Sequence, residues 1–114
     1  MHYSIEHDVD APGHVIVISG DADFAAASEL EGWMVEAVTS GARVVTIDLS
    51  EVTLVDSRTI GMLVGWTERL EAAHGALPIV CTNPNVLRMF SSIGLDQSLS
   101  IFDSRSEAAL KAKS

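Results

Sequence analysis

Positive charge is scarce in this sequence. Seven Lys and Arg residues stand against 16 Asp and Glu, which gives a formal net charge of −9 at pH 7 for 114 residues. Nucleic acids and anionic lipid surfaces both require a basic face on their partner, so this charge balance argues against either. It favours instead a protein partner that carries basic patches.

Cysteine and long apolar runs are also rare. The single cysteine, Cys81, cannot form an internal disulfide, which fits a reducing cytoplasm, and its apolar neighbours favour a core position. No apolar run approaches the roughly 18 residues of a membrane span. Residues 1–7 lack the basic and apolar regions of a signal peptide. We therefore expect a cytoplasmic protein with no direct membrane insertion.

Glycine and proline are too few and too scattered to form a linker or a low-complexity segment. The apolar content of 47% is sufficient for one hydrophobic core. We therefore predict a single domain over residues 3–112.

The first part of the chain predicts a hairpin, a helix and a strand. Alternation over residues 3–9 and a β-branched run over 14–20 predict two paired strands. An apolar helical face follows, from Leu30 to Val38, and Gly41 ends the helix. Residues 44–49 are mostly apolar, as expected of a central strand covered on both faces.

The most informative stretch is residues 52–64, where an apolar run ends at Asp56 and Ser57 and a helical pattern begins. The helical face recurs at i, i+3, i+4, i+7 and i+10, at Ile60, Leu63, Val64, Thr67 and Leu70. Asp56 or Ser57 is the natural N-cap. A serine there is commonly no more than a cap, but the positive end of a helix dipole also accommodates a phosphate.

The second half alternates strands and helices in the same way. The helix after Ser57 should end near His74 and Gly75, and residues 77–82 form the next strand, which completes a right-handed βαβ unit. Asn83 and Pro84 begin a short helix. Its stripe consists of Val86, Leu87, Phe90 and Ile93, and Gly94 ends it.

The C-terminal residues predict a short edge strand over 99–102 and one more helix. The S-x-x-E spacing of residues 104–107 is a capping box that opens this helix, which continues through Leu110.

Several motifs, in order, resemble the STAS domain, the fold of bacterial anti-sigma factor antagonists. The central signature of the family resembles DLSEV at 48–52, DS at 56–57 and IGML at 60–63, and its G-[ED]-[LA]-D segment resembles GDAD at 20–23. The segments 83–86, 93–95 and 107–110 resemble its C-terminal half. The resemblance runs from about residue 5 to residue 110.

This resemblance implies an α/β STAS fold, with a mixed sheet of four to five strands and about four helices. In the family, the serine directly after the aspartate is phosphorylated by a partner kinase, and that position is Ser57 here. The loop with Asp21 and Asp23 lies near it in the family, although such a pair, taken by itself, is more often explained by turn chemistry and N-capping. The implied partner-binding residues are Asp21, Asp23, Phe24, Asp56, Ser57, Arg58, Thr59 and Met62.

The function implied is that of an anti-sigma factor antagonist without a cofactor. Such a protein binds an anti-sigma factor that is also a serine kinase and thereby releases a sigma factor. The kinase then phosphorylates Ser57, and a phosphatase restores the unmodified form. An edge strand near Tyr3 permits a monomer or a weak dimer.

Two residues depart from the family pattern, which usually has a small hydroxyl residue and then glycine after the phosphorylated serine. Arg58 stands in the first position, where it can pair with a phosphate or an acid of the kinase, or simply be solvated. Thr59 stands in the second and is a second possible phosphoacceptor. These departures support an alternative, a STAS subunit that acts as a constitutive assembly module of a stress-signalling complex or a transport ATPase.

Motifs for enzymatic chemistry are missing. No G-x-S-x-G elbow surrounds Ser57, no histidine pair has metal-ligand spacing, and neither standard nucleotide-binding loop is present. We therefore expect neither an enzyme nor a metal site. Trp66 lies off the apolar stripe of its helix, so it belongs either to an exposed interface or to a helix–helix contact.

Overall fold

The computed structural model describes residues 3–10, 13–92, 94 and 99–108. The elements in chain order are β1 (Tyr3–Asp10), β2 (Gly13–Ala22), α1 (Phe24–Thr39), β3 (Val45–Val55), α2 (Ser57–Ala72), β4 (Pro78–Val80), α3 (Pro84–Ser92) and β5 (Ser100–Phe102). A fourth helix, α4, is described over residues 105–108.

The five strands form one sheet in the order β1-β2-β3-β4-β5. β2, β3, β4 and β5 run parallel to their neighbours, and β1 pairs antiparallel with β2. The mixed sheet of four to five strands expected from the sequence is therefore better described as a four-stranded parallel sheet with β1 added at one edge. The α/β class and the four helices are as expected.

The three long connections all pack on one face of this sheet. In β2, in the regular first part of β3 and in β4, the core residues share one side of the sheet, because residues two apart on a strand share a face. These strand residues are Ile16, Ile18, Val45, Ile47, Leu49 and Ile79. The same cluster contains the buried side chains of all three helices, among them Leu30 and Met34 of α1, Ile60 and Leu63 of α2, and Phe90 of α3.

The other face of the sheet contains a buried ion pair. Asp48 is 5% exposed, although its position on β3 is central. Its carboxylate accepts hydrogen bonds from the backbone N–H of Ser50 (2.9 Å) and from the Ser50 hydroxyl, and it pairs with Nε of Arg105 at 2.6 Å. Arg105 therefore ties the start of α4 to the central strand.

These bonds set the ionisation of Asp48. Burial by itself raises the pKa of this carboxyl, but the hydrogen bonds and charge supplied by Ser50 and Arg105 outweigh it and hold the pKa below its ordinary value of 3.8. Asp48 is consequently a carboxylate at neutral pH, and each of its partners is a donor.

Two strands differ in length from the sequence-based expectation. β3 continues to Val55 instead of ending at residue 49, because the end of β2 keeps pairing with it, at Asp21–Leu54 and Ala22–Val55, across two register shifts. The polar residues Ser50, Glu51 and Thr53 are exposed there and hid the strand from pattern analysis. β4 is shorter than expected and is limited to Pro78–Val80.

The remaining expectations for helices fit the described residues. Asp23 and Asp56 are the N-caps of α1 and α2, and Gly41 and Gly94 adopt positive φ after α1 and α3. The expectations for Ile93 and Leu95 and for residues 109–112 fall outside the described residues. Within the described ranges, no helix has the length and apolarity needed to cross a membrane.

The end of α2 is closed by an unusually tight backbone contact at Gly75. The Gly75 N–H donates to the Leu70 carbonyl at 2.6 Å, and the next N–H, of Ala76, donates to the Arg43 carbonyl at 2.8 Å. A Cβ at Gly75 would overlap that Arg43 oxygen, which is backbone and cannot rotate away. Only glycine fits here without a shift of the chain.

We predict that Gly75→Ala lowers the free energy of unfolding by about 1–3 kcal/mol, the usual cost of forcing extra atoms into a packed site. Gly32→Ala is the matched control, since Gly32 lies inside α1 with open space around it, and alanine there should raise stability by roughly 0.5–1 kcal/mol. Urea unfolding of both variants checks this. Equal effects of the two substitutions would contradict the steric role of Gly75.

We predict that Asp48→Asn lowers the free energy of unfolding at neutral pH by about 1–2 kcal/mol, a value reduced for the 45% exposure of Arg105. Because the folded pKa of Asp48 is lowered, its contribution is complete above 3.8 and is lost as pH falls through that folded pKa. Urea unfolding from neutral pH down to about pH 3 should therefore show the two proteins converging. Glu51→Gln changes an exposed residue on the same strand, and its free energy of unfolding at neutral pH should equal that of the unmodified protein.

Candidate functional site

The helix starts gather at one edge of the sheet. Each of the four helices begins within a few residues of the carboxyl end of a parallel strand. The first N–H groups are capped by Asp23 in α1, Asp56 in α2, Asn83 in α3 and Ser104 in α4. The carboxyl edge of a parallel sheet is where open α/β proteins commonly bind other molecules.

A small network of hydrogen bonds fixes the start of α2. The backbone N–H of Asp56 donates to the Ala22 carbonyl at 3.3 Å, so the ends of β2 and β3 are joined. The Asp56 carboxylate accepts from the Thr59 N–H at 2.9 Å and lies 2.7 Å from the Thr59 hydroxyl. That hydroxyl is also 3.1 Å from the Ala22 carbonyl.

Thr59 belongs to the interior rather than to the surface. It is 0% exposed, and its hydroxyl lies within hydrogen-bonding distance of the buried Ala22 carbonyl and the partly buried Asp56 carboxylate. The sequence-based expectation that Thr59 is a second phosphoacceptor and a partner-binding residue is therefore corrected, because neither a kinase nor a partner reaches this side chain without local unfolding.

Ser57 has the opposite environment. It is the first residue of α2 and is exposed, while Asp56 before it and Thr59 after it are held inward. The unpaired N–H groups of the first turn and the helix dipole give this position a partial positive charge. The structure thus presents a serine hydroxyl at a site that tolerates an anion.

The two aspartates of the neighbouring loop have structural partners. Asp23 caps α1 by accepting the N–H groups of Ala25 and Ala26 at 3.1 and 3.2 Å. Asp21 accepts a hydrogen bond from the Thr53 hydroxyl at 3.0 Å and so links the end of β2 to β3. Both are half-buried, so they shape the loop beside Ser57 and still present part of their surface. Phe24 begins α1, and its side chain lies outside the described part of the structure.

Arg58 and Met62 face α1. Together with Ala27, Ser28 and Glu31 they line a cavity of about 230 Å³ between the N-terminal halves of the two helices. Arg58 is adjacent to Ser57 and exposed, and it also lines this cavity.

Leu54 is a surface feature that sequence analysis missed. It is 54% exposed, next to the loop of Asp21 with which it pairs in the sheet. In the sequence it looks like one more core residue of an apolar run. The irregular register of β3 turns it outward between Val52 and Val55, which are buried. Leu54 thus adds exposed apolar area at the edge of the sheet where α2 and Ser57 begin.

The described residues do not form a metal centre: no group of three or more His, Cys, Asp or Glu side chains is arranged to hold an ion. His74 follows the far end of α2 and cannot approach Ser57. Cys81 is buried in the core cluster, and burial raises the pKa of its thiol. The arrangement around Ser57 offers a hydroxyl, an apolar side chain and a helix start, which suits recognition.

The comparisons with known proteins agree with this architecture. A family model described as "Mlab, STAS domain" matches residues 7–103. None of the curated proteins compared with the chain matches it. Solved structures match over nearly the whole chain, but at identities near 20%, so they bear on the fold alone.

An anti-sigma factor antagonist from Mycobacterium paratuberculosis superimposes with a TM-score of 0.89, at 21% identity over 99% of this chain and 96% of that one. The anti-sigma factor antagonist SpoIIAA in its unphosphorylated form gives 0.81, at 20% identity over 96% of each chain. Its phosphorylated form, from Bacillus, gives 0.70 at 20% identity over 95% of this chain and 98% of that one. A sulfate transporter family protein from Wolinella succinogenes gives 0.71, at 18% identity over 93% and 88%.

The fold is that of the STAS domain. Because the family model covers most of the sequence, the chain belongs to the STAS domain family, and the resemblance inferred from the motifs is confirmed.

We predict that Asp56→Ala lowers the free energy of unfolding by about 1–2 kcal/mol, because it removes the cap of α2 and one acceptor of the buried Thr59 hydroxyl. Asp56→Asn keeps an acceptor oxygen and should cost only a few tenths of that amount. Urea unfolding of the two variants measures the difference. Equal losses would mean that the negative charge of Asp56, and not its hydrogen bonds, stabilises this junction.

Proposed function

We propose that this protein is an anti-sigma factor antagonist that works by a phosphorylation-controlled partner switch, with Ser57 as the phosphoacceptor. The observation that carries the proposal is the exposed Ser57 hydroxyl at the start of α2, set beside the exposed Leu54. The fold of the antagonists named above supports it, and one of them is known in both an unphosphorylated and a phosphorylated form.

In the unmodified state the partner would dock on the surface formed by Ser57, Leu54 and the loop of Asp21 and Asp23. Leu54 would supply apolar area and Ser57 a neutral hydrogen-bonding group. The partner is an anti-sigma factor with serine kinase activity, and the binding would release a sigma factor. We place this exchange in the cytoplasm.

Phosphorylation would act by charge. A phosphoserine adds about −1.5 to −2 charge at pH 7 to a protein that already carries −9. The carboxylates of Asp21, Asp23 and Asp56 at the same edge of the sheet accept hydrogen bonds from this chain. As anions they cannot donate a hydrogen bond to a phosphate. The first turn of α2 can hold the dianion, so the fold need not change, but a surface built against a neutral hydroxyl loses its fit. A phosphatase would reverse the step.

A second candidate is a constitutive assembly module of a stress-signalling complex or a transport ATPase. The specific observation in its favour is the match to a sulfate transporter family protein, together with Arg58 beside the acceptor position. Such a module would use the same surface without phosphorylation.

The test begins with protein purified from its own host. Intact mass and peptide mapping should find one phosphate, on Ser57. Ser57→Ala should then keep the binding of the kinase partner, and Ser57→Asp should weaken it at least about tenfold, the effect of about 1.4 kcal/mol. Ser106→Asp is the matched control, since Ser106 is exposed in the first turn of α4, and it should leave binding unchanged.

Two results would count against the switch. Phosphate on another residue would displace Ser57 as the acceptor. An unphosphorylated protein whose Ser57→Asp variant binds its partner as well as the unmodified chain does would favour the assembly module.

A further inference from the structure

A second concave surface lies at the opposite end of α1 and α2 from Ser57. Between the C-terminal turns of the two helices is a cavity of about 210 Å³. We call it the Trp66 cavity. It is lined chiefly by Val38, Ala42, Arg43, Trp66, Arg69 and Leu70.

The floor of the Trp66 cavity is apolar and fixed. Trp66 is 6% exposed, and its Nε1–H donates to Oε1 of Glu31 on α1 at 2.9 Å, so the indole N–H already has its partner. The Arg69 guanidinium lies over the indole, 4.4 Å from the ring centroid. The backbone of Arg43 is fixed through its carbonyl, which accepts the Ala76 N–H. The Trp66 wall of the cavity is therefore held in place by the fold.

The charge at this end differs from that of the whole protein. Arg43 and Arg69 are two of only seven Lys and Arg residues, and no carboxylate of the described residues forms an ion pair with either. The Glu31 carboxylate at the Trp66 indole and the two helix C-termini, at roughly −0.5 charge each, offset these two positive charges in total. The guanidinium groups of Arg43 and Arg69 are nevertheless exposed at the cavity, where each can meet a carboxylate from outside.

The size of the cavity narrows the choice of occupant. Sites for whole small-molecule ligands usually measure about 300–1,000 Å³, and this cavity is smaller. It is suited to one large apolar side chain, with the two guanidinium groups placed to bind carboxylates beside that side chain. An anchor side chain in a pocket with charged neighbours is a common form of protein recognition.

We propose that the Trp66 cavity docks an acidic segment of a partner protein, in which an apolar side chain packs on Trp66 and flanking carboxylates pair with Arg43 and Arg69. This interaction goes beyond the phosphorylation switch and does not rest on it. Arg69 is about 18 Å from Ser57 along α2, at about 1.5 Å per residue, which exceeds the screening length of about 8 Å at physiological salt. Docking here is therefore insensitive to phosphorylation.

The probe is an acetylated and amidated hexapeptide with a central leucine–phenylalanine pair flanked on each side by aspartate and glutamate. Titration into the ¹⁵N-labelled protein should shift the indole N–H of Trp66 and the amides of Leu70 and Ala73. A peptide with lysine in place of every acid should shift none of them. Arg43→Gln and Arg69→Gln should each lower the affinity for the acidic peptide at least about fivefold, a loss of about 1 kcal/mol of binding free energy.

Arg88→Gln is the matched control, because it removes the same charge from α3 and should leave the affinity unchanged. Thermal unfolding of each variant confirms that it folds. Ser57→Asp should also leave the affinity unchanged, and a change would overturn the independence from phosphorylation. The proposal is overturned if the acidic peptide does not bind at millimolar concentration, or if the acidic and the lysine peptide bind with equal affinity. It is also overturned if the Arg43 and Arg69 variants bind the acidic peptide as tightly as Arg88→Gln does. Equal binding of phenylacetate would instead identify the occupant as a free small carboxylate.

Discussion

The arrangement of this molecule depends on the junction where β2, β3 and α2 meet. The Ala22 carbonyl accepts the Asp56 N–H and lies within reach of the Thr59 hydroxyl, and Asp56 caps the helix that Thr59 belongs to. Because Asp56 and Thr59 are held inward, Ser57 between them is held outward. The departure from the family pattern at Thr59 therefore does not obstruct this surface. The threonine side chain is buried and hydrogen-bonded within the junction, so Ser57 stays accessible.

Much of the fold could be predicted from the sequence, and the features that could not be predicted depend on contacts between residues far apart in the chain. The caps at Asp23 and Asp56, the stripe of α2 and the stops at Gly41 and Gly94 follow from side-chain chemistry within a few residues, so pattern analysis finds them. The length of β3, the exposure of Leu54 and the burial of Thr59 depend on how β2 pairs with β3 across register shifts. That pairing joins residues more than 30 positions apart, which no local pattern encodes. Trp66, left open between two environments, was decided by Glu31 on another helix.

The acids of this protein fall into different groups once their partners are known. Asp48 is neutralised by Arg105, and Asp23 and Asp56 are compensated by the N–H groups that they cap. The formal charge of −9 therefore overstates the negative potential that a partner meets near Ser57. A phosphate on Ser57 would add about −1.5 to −2 charge, which the partial positive charge of the α2 N-terminus, roughly +0.5, offsets only in part.

α2 connects the two surfaces of the molecule as one continuous helix of 16 residues. Ser57 begins it, and Trp66 and Arg69 lie in its last half, so their separation is set by helix geometry and not by a flexible loop. A partner that contacted both ends would gain from effective concentration, since binding at one end holds it near the other. A charge added at Ser57 would then weaken one contact while the other persisted. Such a complex would rearrange on phosphorylation without dissociating. A partner that contacted only the surface around Ser57 would dissociate.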